Sequence, residues 1–331
     1  MSYPGFTGGF TAAATDYDFP APRPLGRSSP RDLLRVACLS LFIAAVVLTS
    51  LTVSAPPAHA EGSHPGMLNR GCDHNVCVNE VSTKVKHAGP LTISGGCGGN
   101  GCTDVMIRIV WTANGPQTIT AGCGGDNCAN FIGTAIWDSN AQLAVDGGCG
   151  GNDCANLVFT SIWNANAPAS VSSGCGGNGC LNLSVTFVNN ANDAVTINSG
   201  CGGNGCVNLT VLNVTNGSAP LSINSGCGGN GCSNVILAML LNGSAPLTVN
   251  AGCGGNGCNN SVDSNVGDAN VHAGCGGNGC NNSVTLNVAD THGPLAVRTS
   301  CLGNAACVRV VLRNQRRSII QTIDVLLPQL H

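Results

Sequence analysis

Pairs of cysteines recur at a fixed spacing and are the residues of this chain best suited to chemistry. The hexapeptide C-G-G-N-G-C begins at Cys97, Cys175, Cys201, Cys227, Cys253 and Cys275. Four related copies begin at Cys72, Cys123, Cys149 and Cys301. Seven of the nine intervals between successive copies are 26 residues, and the other two are 25 and 22. A fixed period of this size predicts a protein built by stacking one small unit.

Paired cysteines can form disulfides, bind a metal ion or carry out redox chemistry. We predict disulfides among Cys72, Cys77, Cys97, Cys102, Cys123, Cys128, Cys149, Cys154, Cys175, Cys180, Cys201, Cys206, Cys227, Cys232, Cys253, Cys258, Cys275, Cys280, Cys301 and Cys307. Pairing within one hexapeptide and pairing between adjacent coils are both compatible with the spacing. A C-x-x-C redox motif is absent from the sequence.

Metal binding is the alternative for the same cysteines, because C-x4-C pairs that converge can hold zinc. Histidine is scarce in the repeats, and the near-equivalent pairs show no grouping in fours. We therefore expect no metal and no other cofactor, and a metal-binding cysteine scaffold is a secondary hypothesis.

The N-terminal residues 1–60 have the pattern of a secretory signal peptide. Four arginines, the last of them Arg35, precede the uncharged apolar stretch 36–55, and Ala58-His59-Ala60 follows it. This pattern predicts bacterial export with cleavage after Ala60. Without cleavage the stretch is long enough to anchor the chain in a membrane. Loss of Cys38 with this segment leaves 20 of the 21 cysteines, an even number that suits disulfide pairing in an exported protein.

The repeats are nearly free of positive charge. No lysine or arginine occurs between Arg108 and Arg298, whereas this stretch contains eight aspartates. Binding to nucleic acid requires basic contacts, so nucleic acid is excluded as a partner of the repeats. An anionic membrane surface is disfavoured for the same reason, and we expect membrane contact only if the N-terminal segment is uncleaved.

The residues between cysteine pairs predict two β-strands in each repeat. In 175–200, a β-branched and aromatic run over 181–188 follows the hexapeptide, and a shorter alternating run over 194–197 follows an Asn-rich break. The second run places Ile93, Ile223 and Val249 toward the interior. The first run is ambiguous, because Leu183, Val185 and Phe187 suggest one inward parity while Val284, Leu286 and Val288 suggest the other.

Stacking of these repeats predicts an all-β, disulfide-stapled β-solenoid of about ten 26-residue coils over residues 61–308. A β-meander with the hexapeptides as hairpin loops is the alternative fold. We expect residues 309–331 to cap the solenoid, with Ile319, Ile323 and Leu326 on the apolar stripe of a helix or in a hairpin.

An asparagine two places after the second cysteine recurs and predicts a ladder of stacked amides. Its members are Asn79, Asn130, Asn156, Asn182, Asn208, Asn234, Asn260 and Asn282, with Asp104 in the remaining repeat.

Two further columns of residues form a candidate binding face. Trp111, Trp137 and Trp163 each lie 14 residues after the first cysteine of their repeat. The favoured interpretation stacks them in the core, and the alternative is a solvent-facing aromatic strip. Thr134, Thr160 and Thr186 form one outward column if Leu183, Val185 and Phe187 point inward.

Such a flat, β-branched face resembles the working surface of the cysteine-stapled β-solenoid antifreeze proteins of insects. The resemblance is architectural, covers no alignable motif, and implies ice binding as one hypothesis. The favoured hypothesis is a non-enzymatic structural protein, secreted or at the cell surface. Its rigid, low-charge face would bind other copies of itself, the cell envelope or an abiotic surface. Ice or carbohydrate binding is the alternative for this face.

Overall fold

A computed structural model describes residues 66–72, 75–241, 243–265, 269–288, 295–302, 308–314 and 321–326. Side chains are described for residues 71, 75–241, 243–264, 269–286 and 296–299. The chain divides into the units Met1–Pro56 and Pro57–His331, and every described residue belongs to the second. The predicted signal peptide lies outside the described residues. The described part contains no helix long and apolar enough to cross a membrane.

The described strands form two parallel sheets, one of eleven strands and one of ten. Sheet A contains β1 (Gly66–Cys72), β3 (Leu91–Cys97), β5 (Gln117–Cys123), β7 (Leu143–Cys149), β9 (Ala169–Cys175), β11 (Val195–Cys201), β13 (Leu221–Cys227), β15 (Leu247–Gly254), β17 (Ala269–Gly276), β19 (Leu295–Leu302) and β21 (Gln321–Leu326). Sheet B contains β2 (Val78–Ala88), β4 (Thr103–Ala113), β6 (Ala129–Ser139), β8 (Ala155–Ala165), β10 (Leu181–Ala191), β12 (Val207–Thr215), β14 (Ser233–Leu241), β16 (Asn259–Asn265), β18 (Asn281–Val288) and β20 (Val308–Asn314).

Successive strands alternate between the sheets, so each repeat contributes one coil of a β-solenoid. Neighbouring coils pair in register, with Cys175 opposite Cys201 and Asn182 opposite Asn208. The solenoid prediction is confirmed, and the meander is wrong because the paired strands are parallel. Eight coils, from Cys97 to Cys280, have both cysteines among the described side chains, slightly fewer than the ten coils expected.

Glycine at the third place of the hexapeptide is required by the stacking of the coils. A Cβ on Gly203 would lie 2.4 Å from the carbonyl oxygen of Gly177 in the preceding coil. The equivalent glycines from Gly125 to Gly277 make the same close approach. Glycine at the second place is under no such constraint, since a Cβ on Gly202 would meet nothing nearer than 3.9 Å.

The fifth place of the hexapeptide adopts a left-handed backbone conformation. Gly205 has a φ of 67°, and Asn127 and Asp153 hold φ values of 55° and 51° at the same place in the degenerate copies. Glycine, asparagine and aspartate tolerate this region best. Val76 occupies it with a φ of 56° in the first coil, where a β-branched residue is strained.

The interior between the sheets is lined by one side chain in two from each strand. In sheet A the predicted parity is confirmed, because Ile93, Ile223 and Val249 are buried. In sheet B the inward residues of β10 are Asn182, Ser184, Thr186 and Val188, and Val284 and Leu286 share this parity in β18. The inward parity suggested by Leu183, Val185 and Phe187 is therefore wrong.

The asparagine ladder is confirmed in the interior. The Nδ2 of Asn182 donates to the Oδ1 of Asn208 at 2.8 Å, and that of Asn208 donates to Asn234 at 3.0 Å. The described contacts run unbroken from Asn130 to Asn282. Each rung is fully desolvated, so its hydrogen bond holds one coil in register with the next.

The C-terminal residues continue the sheets within the part that is described. Strand β21 pairs in parallel with β19, and β20 pairs in parallel with β18. The helix or hairpin expected around Ile323 and Leu326 is therefore wrong over Gln321–Leu326. Strand β21 thus covers the backbone groups along the edge of β19 that β17 leaves unpaired.

Candidate functional site

The cysteines form two adjacent buried columns at the corner where sheet A turns toward sheet B. First cysteines stack on first cysteines, as in the register of Cys123 with Cys149. The Sγ of a second cysteine also approaches the next coil: Cys154 lies 3.8 Å from Cys175 and 3.9 Å from Cys180. Cys154 therefore has sulfur neighbours in both columns of the next coil.

These contacts are compatible with both disulfide patterns, pairing within one hexapeptide and pairing between adjacent coils. Cys77 is disulfide-bonded, whereas the cysteines from Cys123 to Cys280 are thiols in the structure. Cys128 contacts Cys123 within its own coil, and its Sγ lies 4.0 Å from that of Cys149 in the next coil. Disulfide formation and its connectivity remain predictions.

Hydrogen bonds between neighbouring cysteines and burial raise the pKa of most of these thiols. Desolvation raises the pKa of Cys128 to about 12, and that of Cys280 also to about 12. Cys123 differs, because a hydrogen bond from the Cys149 thiol lowers its pKa to about 7. The same contact raises the pKa of Cys149, which holds the shared proton. The thiolate needed for metal binding or exchange is therefore favoured at Cys123.

Two groups of cysteines bring three sulfur atoms close together. They are Cys77 with Cys97 and Cys102, and Cys149 with Cys154 and Cys175. The sulfur atoms of each group all lie within 4.8 Å of one another. Cys77 is disulfide-bonded, so of these two groups the second offers three thiols, which once deprotonated are ligands for a soft metal ion.

The tryptophan column lies on the outside of sheet B. Trp137 is 43% exposed and Trp163 is 57% exposed. The rings of Trp111 and Trp137 stack with centroids 5.4 Å apart and planes within 7°. The favoured core interpretation is wrong and the solvent-facing strip is confirmed. Trp137 lies an odd number of residues after the inward Asn130, so it must face the other side of the strand.

The threonine column has the opposite outcome. Thr134, Thr160 and Thr186 are each at most 1% exposed, and their hydroxyls have no hydrogen-bond partner. They lie four residues after ladder members and therefore share the inward face. The columns expected to flank them, such as Ile132 and Ile136, are buried as well. The outward threonine face that motivated the ice-binding hypothesis does not exist in this structure.

The outward side chains of β4, β6, β8, β10, β12 and β14 form a continuous, mostly apolar surface that we call the apolar panel. Its columns include Val105, Phe131, Leu157, Leu183, Leu209 and Val235, and also Ile107, Phe159, Val185, Val211 and Leu237. Phe187, Leu237, Met239 and Leu241 are 38–42% exposed. The outward residues of Thr103–Trp111 in β4 carry no charge, and neither do the residues that align with them in the other five strands of the panel.

Polar residues border the panel at both ends. Glu80, Lys84 and Lys86 are exposed on β2, and the Nζ of Lys84 lies 5.2 Å from the ring centroid of Trp111. On β16 the outward residues include Ser261 and Asp263. An apolar centre with a polar rim is the usual composition of an interaction surface.

A second asparagine ladder at the hexapeptide corner was missed in the sequence. The backbone N–H of Asn204 donates to the Oδ1 of Asn178 at 2.9 Å, and that of Asn230 donates to Asn204 at 2.9 Å. Asp126 is the equivalent residue of its coil, and its Oδ1 accepts a hydrogen bond from the backbone N–H of Asn152. The recurrence of Asn or Asp at the fourth place of the hexapeptide is the signal that could have revealed it.

A comparison of the chain with protein-family models, curated proteins and solved structures finds no match.

Proposed function

We propose that this chain is an exported, non-enzymatic structural protein that attaches through the apolar panel to copies of itself or to apolar surfaces. The observation that carries the proposal is the exposure of Trp137, Trp163, Phe187 and Leu237 on one flat, uncharged sheet face. Burial of such side chains is favourable by about 25 cal/mol for each Å2 removed from water. The stacked coils hold the face rigid, so attachment costs little conformational entropy.

Two acidic residues in the coils that carry the panel support a structural role. Asp138 accepts a hydrogen bond from the Nδ2 of Asn164 at 2.6 Å, and Asp126 accepts one from the backbone N–H of Asn152 at 2.8 Å. Both carboxylates thereby serve as rungs between coils.

Carbohydrate binding is less well supported by the tryptophans. A sugar stacks on the open face of an aromatic ring, but the facing surfaces of Trp111 and Trp137 cover each other. Lys84 lies over the Trp111 ring as well. The stacked rings therefore present mainly their edges.

Adsorption to chemically defined surfaces tests the proposal. The purified chain should adsorb strongly to an alkyl-coated quartz-crystal sensor and weakly to a hydroxyl-coated one. The double substitution Phe187→Lys and Leu237→Lys, on the panel, should reduce adsorption to the alkyl surface at least tenfold. The matched control Thr196→Lys and Thr248→Lys, on the outer face of sheet A, should adsorb like the unmodified chain. Equal losses for both variants, or no preference for alkyl, would refute the proposal.

Soft-metal binding is a second candidate, favoured by the convergence of Cys149, Cys154 and Cys175. The reduced chain should then bind Cd2+ with a sulfur-to-metal absorbance band, and Cys154→Ser should weaken the band more than Cys232→Ser. Thiol counting on the chain as exported decides between the candidates for these cysteines. If all cysteines are oxidised and no metal is bound, soft-metal binding is eliminated.

A further inference from the structure

The apolar panel has the size of one side of a stable protein interface. It spans six strands at about 4.8 Å each and eight residue steps at about 3.3 Å each, which gives a footprint on the order of 700 Å2. A stable two-protein interface buries about 800 Å2 on each partner. Isolated apolar patches on monomers are usually smaller, at about 300–600 Å2. The panel therefore has the area that a dimer requires.

We propose that the apolar panel binds the same panel of a second copy, with the two solenoid axes parallel and the strands antiparallel across the interface. This inference rests on the proposed function and names the partner of that surface. Two-fold symmetry about an axis parallel to the solenoids places each coil opposite the same coil of the partner. Because the strands run in opposite directions, the first outward residue of each strand in the panel faces the last outward residue of the same strand in the partner.

In β6, and for Trp163 and Ala155 in β8, this reversal places large side chains opposite small ones. Trp137 comes to lie opposite the partner's Ala129, and Trp163 opposite the partner's Ala155. Phe131 likewise faces the partner's Ala135, and Gly133 faces its own counterpart at the centre of β6. Facing sheets pack about 10 Å apart by interdigitating large and small residues in this way.

The charged rim supports the same arrangement. On β2 the column order places Glu80 of one copy opposite the partner's Lys84. Both are exposed in the single chain, so two symmetric ion pairs would form at the rim and add specificity more than affinity. On β16 the exposed Asp263 would face its own counterpart, and this like-charge contact sets the end of the interface.

The other two-fold arrangement, with the solenoid axes antiparallel, lacks these features. In that arrangement each outward column faces the same column of the partner, but the order of the coils is reversed, so β8 lies opposite the partner's β10. Trp163 would then cover the partner's Asn189 instead of an alanine, and Glu80 would lie opposite the polar end of the panel. We therefore favour the parallel-axis dimer.

A size-swap experiment tests the pairing directly. Ala155→Trp should raise the dimer dissociation constant at least tenfold, because two tryptophans would then oppose each other, and Trp163→Ala should raise it through lost burial. The combined variant Ala155→Trp/Trp163→Ala should restore dissociation to within about threefold of the unmodified chain. Sedimentation equilibrium gives all four constants, and circular dichroism checks that each variant is folded. Additive losses in the combined variant would overturn the parallel-axis pairing.

Photocrosslinking supplies an independent readout. A photoreactive benzoylphenylalanine in place of Trp163 should crosslink to the β8 peptide containing Ala155 in mixed 14N/15N chains, as an intermolecular product. Crosslinks to β10 around Asn189, or to the chain's own segment 36–55, would overturn the proposal in favour of another arrangement or occupant. A monomer that still adsorbs to alkyl surfaces would refute the dimer and leave the proposed function intact. Loss of both properties would refute the two together.

Discussion

Asp104 and Asn130 oppose each other in the interior ladder with two hydrogen-bond acceptors and no donor between them. They pair in register on β4 and β6. The Oδ1 of Asp104 accepts from the Nδ2 of Asn79 at 2.8 Å. Its Oδ2, at the place where other rungs carry a donating amide, has no hydrogen-bond partner, and neither does the Oδ1 of Asn130. The carboxylate interrupts an otherwise continuous ladder.

Substitution Asp104→Asn should repair the ladder. The new Nδ2 can donate to the Oδ1 of Asn130, as Asn130 donates to Asn156 at 2.8 Å. A buried acceptor without a donor costs about 1–3 kcal/mol, so the variant should be more stable by about that amount at neutral pH. Urea unfolding measures the difference, and the isosteric change leaves the volume of the interior unaltered.

The stability gained by Asp104→Asn should grow as the pH rises. Burial raises the pKa of Asp104 above its usual 3.8, although hydrogen bonds from Asn79 and the Gly122 backbone oppose the shift. The folded state therefore favours the protonated acid, whose hydroxyl can donate to Asn130. Its contribution is complete below pH 3.8 and is lost as the pH rises through the folded pKa. A constant difference between the two proteins from pH 3 to pH 7 would contradict this explanation.

Two adjacent glycines of one hexapeptide should differ strongly in their sensitivity to the same substitution. Gly203→Ala places a methyl group against the Gly177 carbonyl and forces alanine into a φ of 102°. We expect a loss of about 3 kcal/mol or more in the free energy of unfolding. Gly202→Ala meets nothing nearer than 3.9 Å and should change stability by at most about 0.5 kcal/mol. Thermal unfolding of the pair measures both, and similar losses would disprove close coil stacking at this corner.

Two exposed valines near the start of the solenoid offer a second matched pair. Val76→Gly should stabilise the fold by up to about 1 kcal/mol, since Val76 holds a φ of 56° and glycine relieves that strain. Val78→Gly should destabilise it by about 1 kcal/mol, because Val78 begins strand β2 with ordinary extended geometry. Both side chains are largely exposed, so burial does not confound the comparison. Chemical denaturation measures both changes, and midpoints that shift in the same direction for the two variants would contradict the prediction.

Much of the fold could be predicted from the sequence because the stacking interactions repeat with the chain. The 26-residue period, the two strands per coil and the buried ladder at Asn182 all follow from spacing and residue type. The ladder also fixes the strand parity. Counting from Asn182 places Thr186 inside and Phe187 outside, as the structure does.

The candidate site was harder to predict because bulky apolar side chains usually mark the inside of a strand. In β10 the outward residues Leu183, Val185 and Phe187 are larger and more apolar than the inward Ser184 and Thr186. This inversion belongs to a surface panel and not to the core, and no local pattern in one strand distinguishes the two. The outward residues become polar at β16, whereas Val262 continues the inward column. That change along the stack is the signal that identifies the exposed face.

The buried guanidinium of Arg108 should be energetically coupled to Gln117. Arg108 is 1% exposed, and its Nη2 donates to the Oε1 of Gln117 at 2.7 Å while its Nη1 donates to Thr83 at 3.0 Å. Desolvation lowers the pKa of Arg108 to about 10, so the group stays charged at neutral pH. Hydrogen bonds to a buried charge are worth about 1.5–3 kcal/mol.

A double-mutant cycle measures this coupling. Gln117→Leu alone should destabilise the fold by about 3 kcal/mol, because Arg108 loses its shortest hydrogen bond. In the Arg108→Leu background the same change should cost at least about 1.5 kcal/mol less, since leucine already fills equivalent buried positions at Leu212 and Leu143. Urea unfolding of the four proteins gives the coupling energy. Additivity within about 0.5 kcal/mol would show that the Arg108–Gln117 hydrogen bond contributes nothing to stability.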